Sequence, residues 1–279
     1  MTNLSKLPIG IMQGRLLPKY NGLYQSHPVG YWQEEFAIAK DIELDCIEFI
    51  FDTNYPETNP LMSEAGLEEI QSLSVANNIN VNTICADYFM EFPLHDKDLK
   101  QREKNIEKFE KLMRSATKLS VTDIILPCVD SSSIRDKNVM NELILVLNSL
   151  RPMIDGSDIR ISVESDLPPS DFAEFLNKVN LNNIFVNYDM GNSASLGYDP
   201  AEEFNSYGAK ISDIHIKDRI LNGGPVYLGK GDVNFYKVFE LINSVNYQGP
   251  LIFQAFRDDE GIKIFKEQLM FIQNIIREF

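Results

Sequence analysis

Four residues stand at or beside the ends of short apolar runs: Glu164 in DIRISVE, Asp189 in NIFVNYD, His215 in KISDIHI and Gln254 in GPLIFQA. Each side chain can offer an oxygen or an imidazole nitrogen. Two carboxylates, one imidazole and one amide oxygen make a hard-to-borderline donor set. Such a set suits Mn²⁺, Mg²⁺, Co²⁺ or Zn²⁺ rather than a soft metal. The bland alternative is that each residue caps a loop or bonds a backbone group. Further polar residues follow other apolar runs: Gln13 and Arg15 after LPIGIM, Glu48 within DCIEFI, and Asp87 after NVNTICA. Lys217 and Arg219 lie just beyond His215, and Asn192 lies three residues beyond Asp189.

Such residues meet only if the runs are parallel strands with their ends on one side. Eight runs rich in Ile and Val can be found, at 7–12, 45–50, 80–86, 122–127, 158–164, 183–189, 210–216 and 249–255. Most are continuous apolar segments rather than alternations, as expected of strands covered on both faces. Helical patterns separate them, at 32–41, 62–78, 101–120, 138–154, 168–179, 200–208, 233–247 and 259–279. In the third of these, Ile106, Phe109, Leu112, Met113 and Ala116 share one face. Eight strand–helix repeats without a Gly/Ser linker predict an α/β fold, a (β/α)8 TIM barrel, as one domain over 1–279. A doubly wound sheet competes, but a nucleotide-binding one usually carries a glycine-rich first turn, and the turn here is MQGRLLP. In a barrel the strand C-termini form the functional mouth. That places the residues above around one opening.

Composition narrows the classes. The chain has 279 residues, 26 basic and 41 acidic, for a net charge of -15. That acidity opposes nucleic acid binding, and the stretch from Lys97 to Lys118 mixes in Glu103, Glu107 and Glu110, so it reads as a solvated helix face. Cys46, Cys85 and Cys128 show no paired spacing and are expected as buried free thiols. The N-terminal MTNLSKLPIGIMQGRLLP has no long apolar segment, and no apolar run approaches 18 residues. A cytoplasmic protein without a membrane partner is expected. His27 and His95 sit in polar loops and are expected at the surface, with the pocket edge as the alternative; Trp32 begins a helix and suits either core or pocket rim.

The chain resembles the xylose isomerase-like barrels, and within them the sugar isomerase/epimerase group of ketose 3-epimerases, inosose dehydratases and hydroxypyruvate isomerases. The resemblance rests on GIMQGRL, VES at 163–165, NYDMGN at 187–192, HIKD at 215–218, GKGDVNF at 229–235 and LIFQAFR, in that order along nearly the whole chain. It implies one divalent metal, Mn²⁺ first among the candidates, held by Glu164, Asp189, His215 and the position of Gln254. The family has glutamate at that last position, so Gln254 is a departure. It also implies a small sugar-like substrate, proton abstraction by Glu164 and a metal-stabilised enediolate. Arg219, Asn192, Lys217, Glu48, Asp87, Gln13 and Arg15 become candidates for substrate contact. A homodimer or homotetramer is a further expectation. In 3-epimerases the first and last glutamates work on opposite faces of the sugar. A glutamine cannot return a proton, so a second group is needed, with Glu48, Asp87, Lys217 or water as choices. One-base isomerisation, dehydration or lyase chemistry, or ligand binding without turnover, are the alternatives. Asp213 or Asp218 is the expected partner of the second His215 nitrogen. The loop 19–32 is expected to border the pocket, and the glycine-rich loop 221–231 to close over it.

Overall fold

The computed structural model describes residues 4–279. Eight parallel strands close into a barrel in sequence order. They are β1 (Ile9–Met12), β2 (Cys46–Ile50), β3 (Asn80–Cys85), β4 (Asp123–Cys128), β5 (Arg160–Ser165), β6 (Ile184–Asp189), β7 (Ile211–Ile216) and β8 (Leu251–Phe253). The helices are α1 (Glu34–Asp41), α2 (Glu64–Asn77), α3 (Tyr88–Glu91), α4 (Leu99–Leu119), α5 (Lys137–Ser149), α6 (Arg151–Ile154), α7 (Pro169–Val179), α8 (Met190–Leu196), α9 (Pro200–Tyr207), α10 (Phe235–Ser244) and α11 (Ile262–Ile276). This is the (β/α)8 barrel that the alternation of patterns predicts.

Local chemistry sets the helix ends. The Ser63 hydroxyl accepts from the Gly66 N–H to start α2, and the Asp136 carboxylate accepts from the Asn138 and Val139 N–H groups to start α5. Side-chain acceptors of this kind satisfy donors that a first turn leaves unpaired. Pro169 and Pro200 open α7 and α9, where a missing N–H costs nothing. Asn78, Ser120 and Asn180 end α2, α4 and α7 in left-handed conformations.

Apolar side chains pack in two places. The larger core lies between the strands and the helices and includes Phe36, Phe49, Phe109, Phe175 and Phe239. A smaller cluster of Met12, Cys46, Ile50, Cys85, Ile125 and Ile252 fills the barrel interior. Gly10 has to be glycine here, because a Cβ would lie 2.5 Å from Cys46 Sγ and 2.6 Å from Ile252 Cδ1. All three cysteines are buried and free, as expected.

Two expectations are corrected. His27 is only 2% exposed and His95 8%, so neither is a surface residue. His27 packs against Trp32 and Phe49, and its Nδ1 lies 2.9 Å from Gln13 Oε1. Trp32 is core, edge-on to Phe36 and Phe49. Among the described residues no helix is long and apolar enough to cross a membrane.

Candidate metal centre at the barrel mouth

Strand register builds the centre. Asp189 on β6 and His215 on β7 are ladder partners, and Glu48 on β2 pairs with Met12 on β1. Side chains two apart on a strand share a face, so Asp213 and His215 point into the same barrel interior. Glu48 reaches them from the opposite wall. Its Oε1 lies 2.8 Å from His215 Nε2, and Asp213 Oδ1 lies 3.5 Å from that same nitrogen. All three residues are fully buried. Their donor atoms lie within 4.8 Å of one another, a group that could hold a divalent cation.

The other imidazole nitrogen looks toward the mouth. His215 Nδ1 is buried and has no hydrogen-bond partner, and Asp189 Oδ2 stands 3.9 Å from it. Asp189 divides its two oxygens. Oδ1 accepts from the Asn192 N–H at 2.8 Å and so caps α8, while Oδ2 faces the mouth. Glu164 Oε1 accepts from Asn192 Nδ2 at 2.5 Å, and Asn192 Oδ1 accepts from Arg219 at 2.7 Å. The Arg219 guanidinium is anchored in turn on the Gly223 carbonyl. Lys217 Nζ lies 2.8 Å from Gln254 Oε1 and 3.2 Å from Asp189 Oδ2. Glu164, Asp189, His215, Gln254, Asn192, Lys217 and Arg219 therefore form one connected assembly, as their strand-end positions predict.

Burial and crowding of like charges tune these groups. Burial pushes the Glu164 carboxyl up to about 7, helped by Asp189 and opposed by His215 and Lys217. Burial also holds the Asp213 carboxyl well above the usual carboxylate range, and Glu48 adds to it. For His215 burial works downward, but Glu48, Asp213 and Glu164 outweigh it and raise the imidazole to about 10. The imidazolium of His215 offsets part of the negative charge of these carboxylates.

The remaining candidates sit on the rim. Gln13 Oε1 accepts from the His27 ring and from the Ile50 N–H at 3.0 Å, leaving its buried Nε2 without a partner. The Arg15 guanidinium donates to the Tyr24 carbonyl and to Gln25 Oε1, so it holds loop 19–32 in place. Asp87 accepts from Gln25 at 2.7 Å and latches the same loop to the end of β3. Gln25 and Asp52, which accepts from the His27 N–H, were not evident as site residues, because a loop's docking partners leave no spacing signal. Glu48, rather than Asp213 or Asp218, is the close partner of His215 Nε2. Asp218 turns away and accepts from the N–H groups of Gly229, Gly231 and Val233. It folds the glycine-rich loop. A cavity of about 210 Å³ lies outside this centre, between α8 and the loop after β7, and is lined by residues such as Met190, Tyr198, Leu221 and Val233. It holds none of the donors described here.

Residues 36–275 match the family model of the xylose isomerase-like TIM barrel. The chain belongs to that family. It is 23% identical over 245 residues, 81% of its length and 84% of the relative's, to a protein of Haemophilus influenzae provisionally named L-ribulose-5-phosphate 3-epimerase SgbU. Its fold is similar to that of D-psicose 3-epimerase crystallised in the presence of D-fructose, with a TM-score of 0.74, 16% identity and 98% of each chain covered. It is equally similar to the IOLI protein with a bound zinc atom, with a TM-score of 0.74, 16% identity, and 98% and 97% of the two chains covered.

Proposed function

We propose that this protein is a metal-dependent isomerase or epimerase of a small sugar or sugar-like hydroxy-ketone. The observation that carries the reading is the unpartnered, buried His215 Nδ1 facing Asp189 at the barrel mouth while Glu48 fixes the other nitrogen. A carboxylate behind a ligating imidazole orients the ring and raises its basicity. In this reading Glu164, Asp189, His215 Nδ1 and Gln254 Oε1 would hold a divalent ion, with Mn²⁺ first and Mg²⁺, Co²⁺ or Zn²⁺ as alternatives, whereas the donor atoms already within 4.8 Å of one another are those of Glu48, Asp213 and His215. Such an ion supplies Lewis acidity at a substrate carbonyl. The names of the relatives point to a ketose as the substrate class.

In this reading Glu164 takes the proton from the carbon beside the carbonyl. Asn192 holds its Oε1, and Arg219 holds Asn192 and faces substrate hydroxyls. Gln13 and Asp87 close the opposite rim, where Arg15 keeps loop 19–32 folded. Gln254 accepts from Lys217 and cannot carry a proton, an observation that favours chemistry with one protein base: aldose–ketose isomerisation, or dehydration. The test is exchange of the substrate C–H in D₂O with the Mn²⁺-loaded protein, followed by NMR across a panel of ketoses. Deuterium incorporation that falls by about 10²–10⁴-fold in Glu164→Gln supports the assignment. Incorporation by no ketose, or incorporation that Glu164→Gln leaves unchanged, overturns it.

A further inference from the structure

Lys217 reaches two of the donors assigned to the metal under Proposed function. Its Nζ is 3.2 Å from Asp189 Oδ2, the oxygen that faces His215 Nδ1, and 2.8 Å from Gln254 Oε1. The side chain is only 14% exposed. The lysine stem is also seated by design of the backbone. Gly191, in the first turn of α8, lies against it, and a Cβ there would meet Lys217 Cγ at 2.8 Å and Cβ at 3.0 Å. A glycine that makes room for the stem and two acceptors that take the head group form a built cradle for an ammonium ion.

The cradle explains Gln254. A glutamate there would place a second carboxylate against Lys217. The amide oxygen accepts the ammonium hydrogen bond and adds no charge. Among the described residues it leaves Asp189 as the one carboxylate within hydrogen-bond reach of Nζ.

From this we infer that Lys217 is a tethered cation that competes with the divalent ion for Asp189 and Gln254. The inference rests on the metal reading above. A divalent ion and an ammonium group cannot both sit against one carboxylate oxygen without strong like-charge repulsion. Metal uptake therefore requires Lys217 to swing off Asp189 and Gln254. The chain holds its metal more loosely than a barrel without this lysine, and the displaced ammonium is left at the mouth beside the substrate's oxygens. Lys217 is in this sense a positioning residue that sets metal affinity.

The test is calorimetric titration of the substrate-free, chelator-treated protein with Mn²⁺, backed by thermal unfolding with and without the ion. Lys217→Met keeps the stem and removes the charge. It is expected to bind Mn²⁺ at least about tenfold more tightly than the wild type, to melt lower without metal, and to gain more in melting temperature when Mn²⁺ is added. Lys210→Met, remote from the mouth, is expected to match the wild type. Gln254→Glu is expected to tighten binding modestly while Lys217 is present, and strongly in the Lys217→Met background. Equal or weaker Mn²⁺ binding by folded Lys217→Met overturns the inference and leaves the metal site standing. Folded wild type and variants that all take up no Mn²⁺ overturn both.

Discussion

Asp218 gives a prediction whose size follows from its contacts. The residue is fully buried, and its carboxylate accepts three backbone N–H groups, from Gly229 at 2.8 Å, Gly231 at 2.8 Å and Val233 at 3.2 Å. Gly231 fits because a Cβ would meet Asp218 Oδ1 at 2.3 Å. Substituting Asp218→Ala removes the acceptor and leaves three donors to find water. A hydrogen bond to a charged group contributes about 1.5–3 kcal/mol, and an orphaned buried donor costs about 1–3 kcal/mol. The loop 221–233 can open toward solvent and recover part of this, so the expected net loss is about 3 kcal/mol rather than the full sum. The damage should be local first. Hydrogen exchange read by NMR is the direct assay. The amides of Gly229, Gly231 and Val233 should lose protection by about two orders of magnitude, since each factor of ten corresponds to about 1.4 kcal/mol. Amides of β4 and β5 should follow only the change in global stability. Arg219, whose guanidinium bonds the Gly223 carbonyl of the same loop, should lose its fixed position on Asn192. Unchanged protection at the three loop amides would refute the claim that Asp218 folds this loop.

Three other outcomes are expected. Burial holds the His27 imidazole down at about 4; between pH 6.5 and 4 the unfolded chain binds a proton that the folded chain refuses. The contribution of His27 to stability should fall as pH drops through that window, by on the order of 3 kcal/mol, with buried His95 acting in the same direction and the raised Glu164 and Glu35 carboxyls acting against it. The stability of the wild type minus that of His27→Gln, from denaturant unfolding at each pH, should fall by that amount between pH 6.5 and 4, and a difference that does not change with pH would contradict the assignment. Gly191→Ala should destabilise the protein by about 1–3 kcal/mol through overpacking against Lys217, and should tighten Mn²⁺ binding as the lysine is pushed aside; calorimetry and melting curves check both. Gly10→Ala should cost about as much, because Cys46 and Ile252 leave its Cβ no room in the barrel interior; a melting temperature equal to the wild type would show that the interior can yield.

Much of this was legible in the sequence because a parallel barrel ties chemistry to strand ends. Continuous runs such as DIRISVE and KISDIHI carry a residue's position along the barrel axis directly, so Glu164, Asp189, His215 and Gln254 were found at one mouth. Helix α8 carries no such signal. Its sequence, MGNSASL, is poor in helix formers, and it forms because Asp189 caps it and the barrel packs it. The partner of His215 Nε2 was also out of reach: Glu48 is 167 residues away and across the barrel. Sequence spacing favours near neighbours such as Asp213 and Asp218, whereas barrel closure brings β2 opposite β7. His27 looked exposed between Ser26 and Pro28, yet its loop folds down onto Gln13 and Asp52 and buries it. The seat of Lys217 depends on a missing Cβ at Gly191, a relation between two strand-end segments that no single motif contains.

The most direct test of the central claim is an anomalous-difference map from a crystal soaked in Mn²⁺. The account predicts one strong peak on the mouth side of His215, within ligating distance of Nδ1, Asp189 and Glu164, with Lys217 moved off Asp189. A peak on the Nε2 side between Glu48 and Asp213, or no peak near His215 at all, would contradict it.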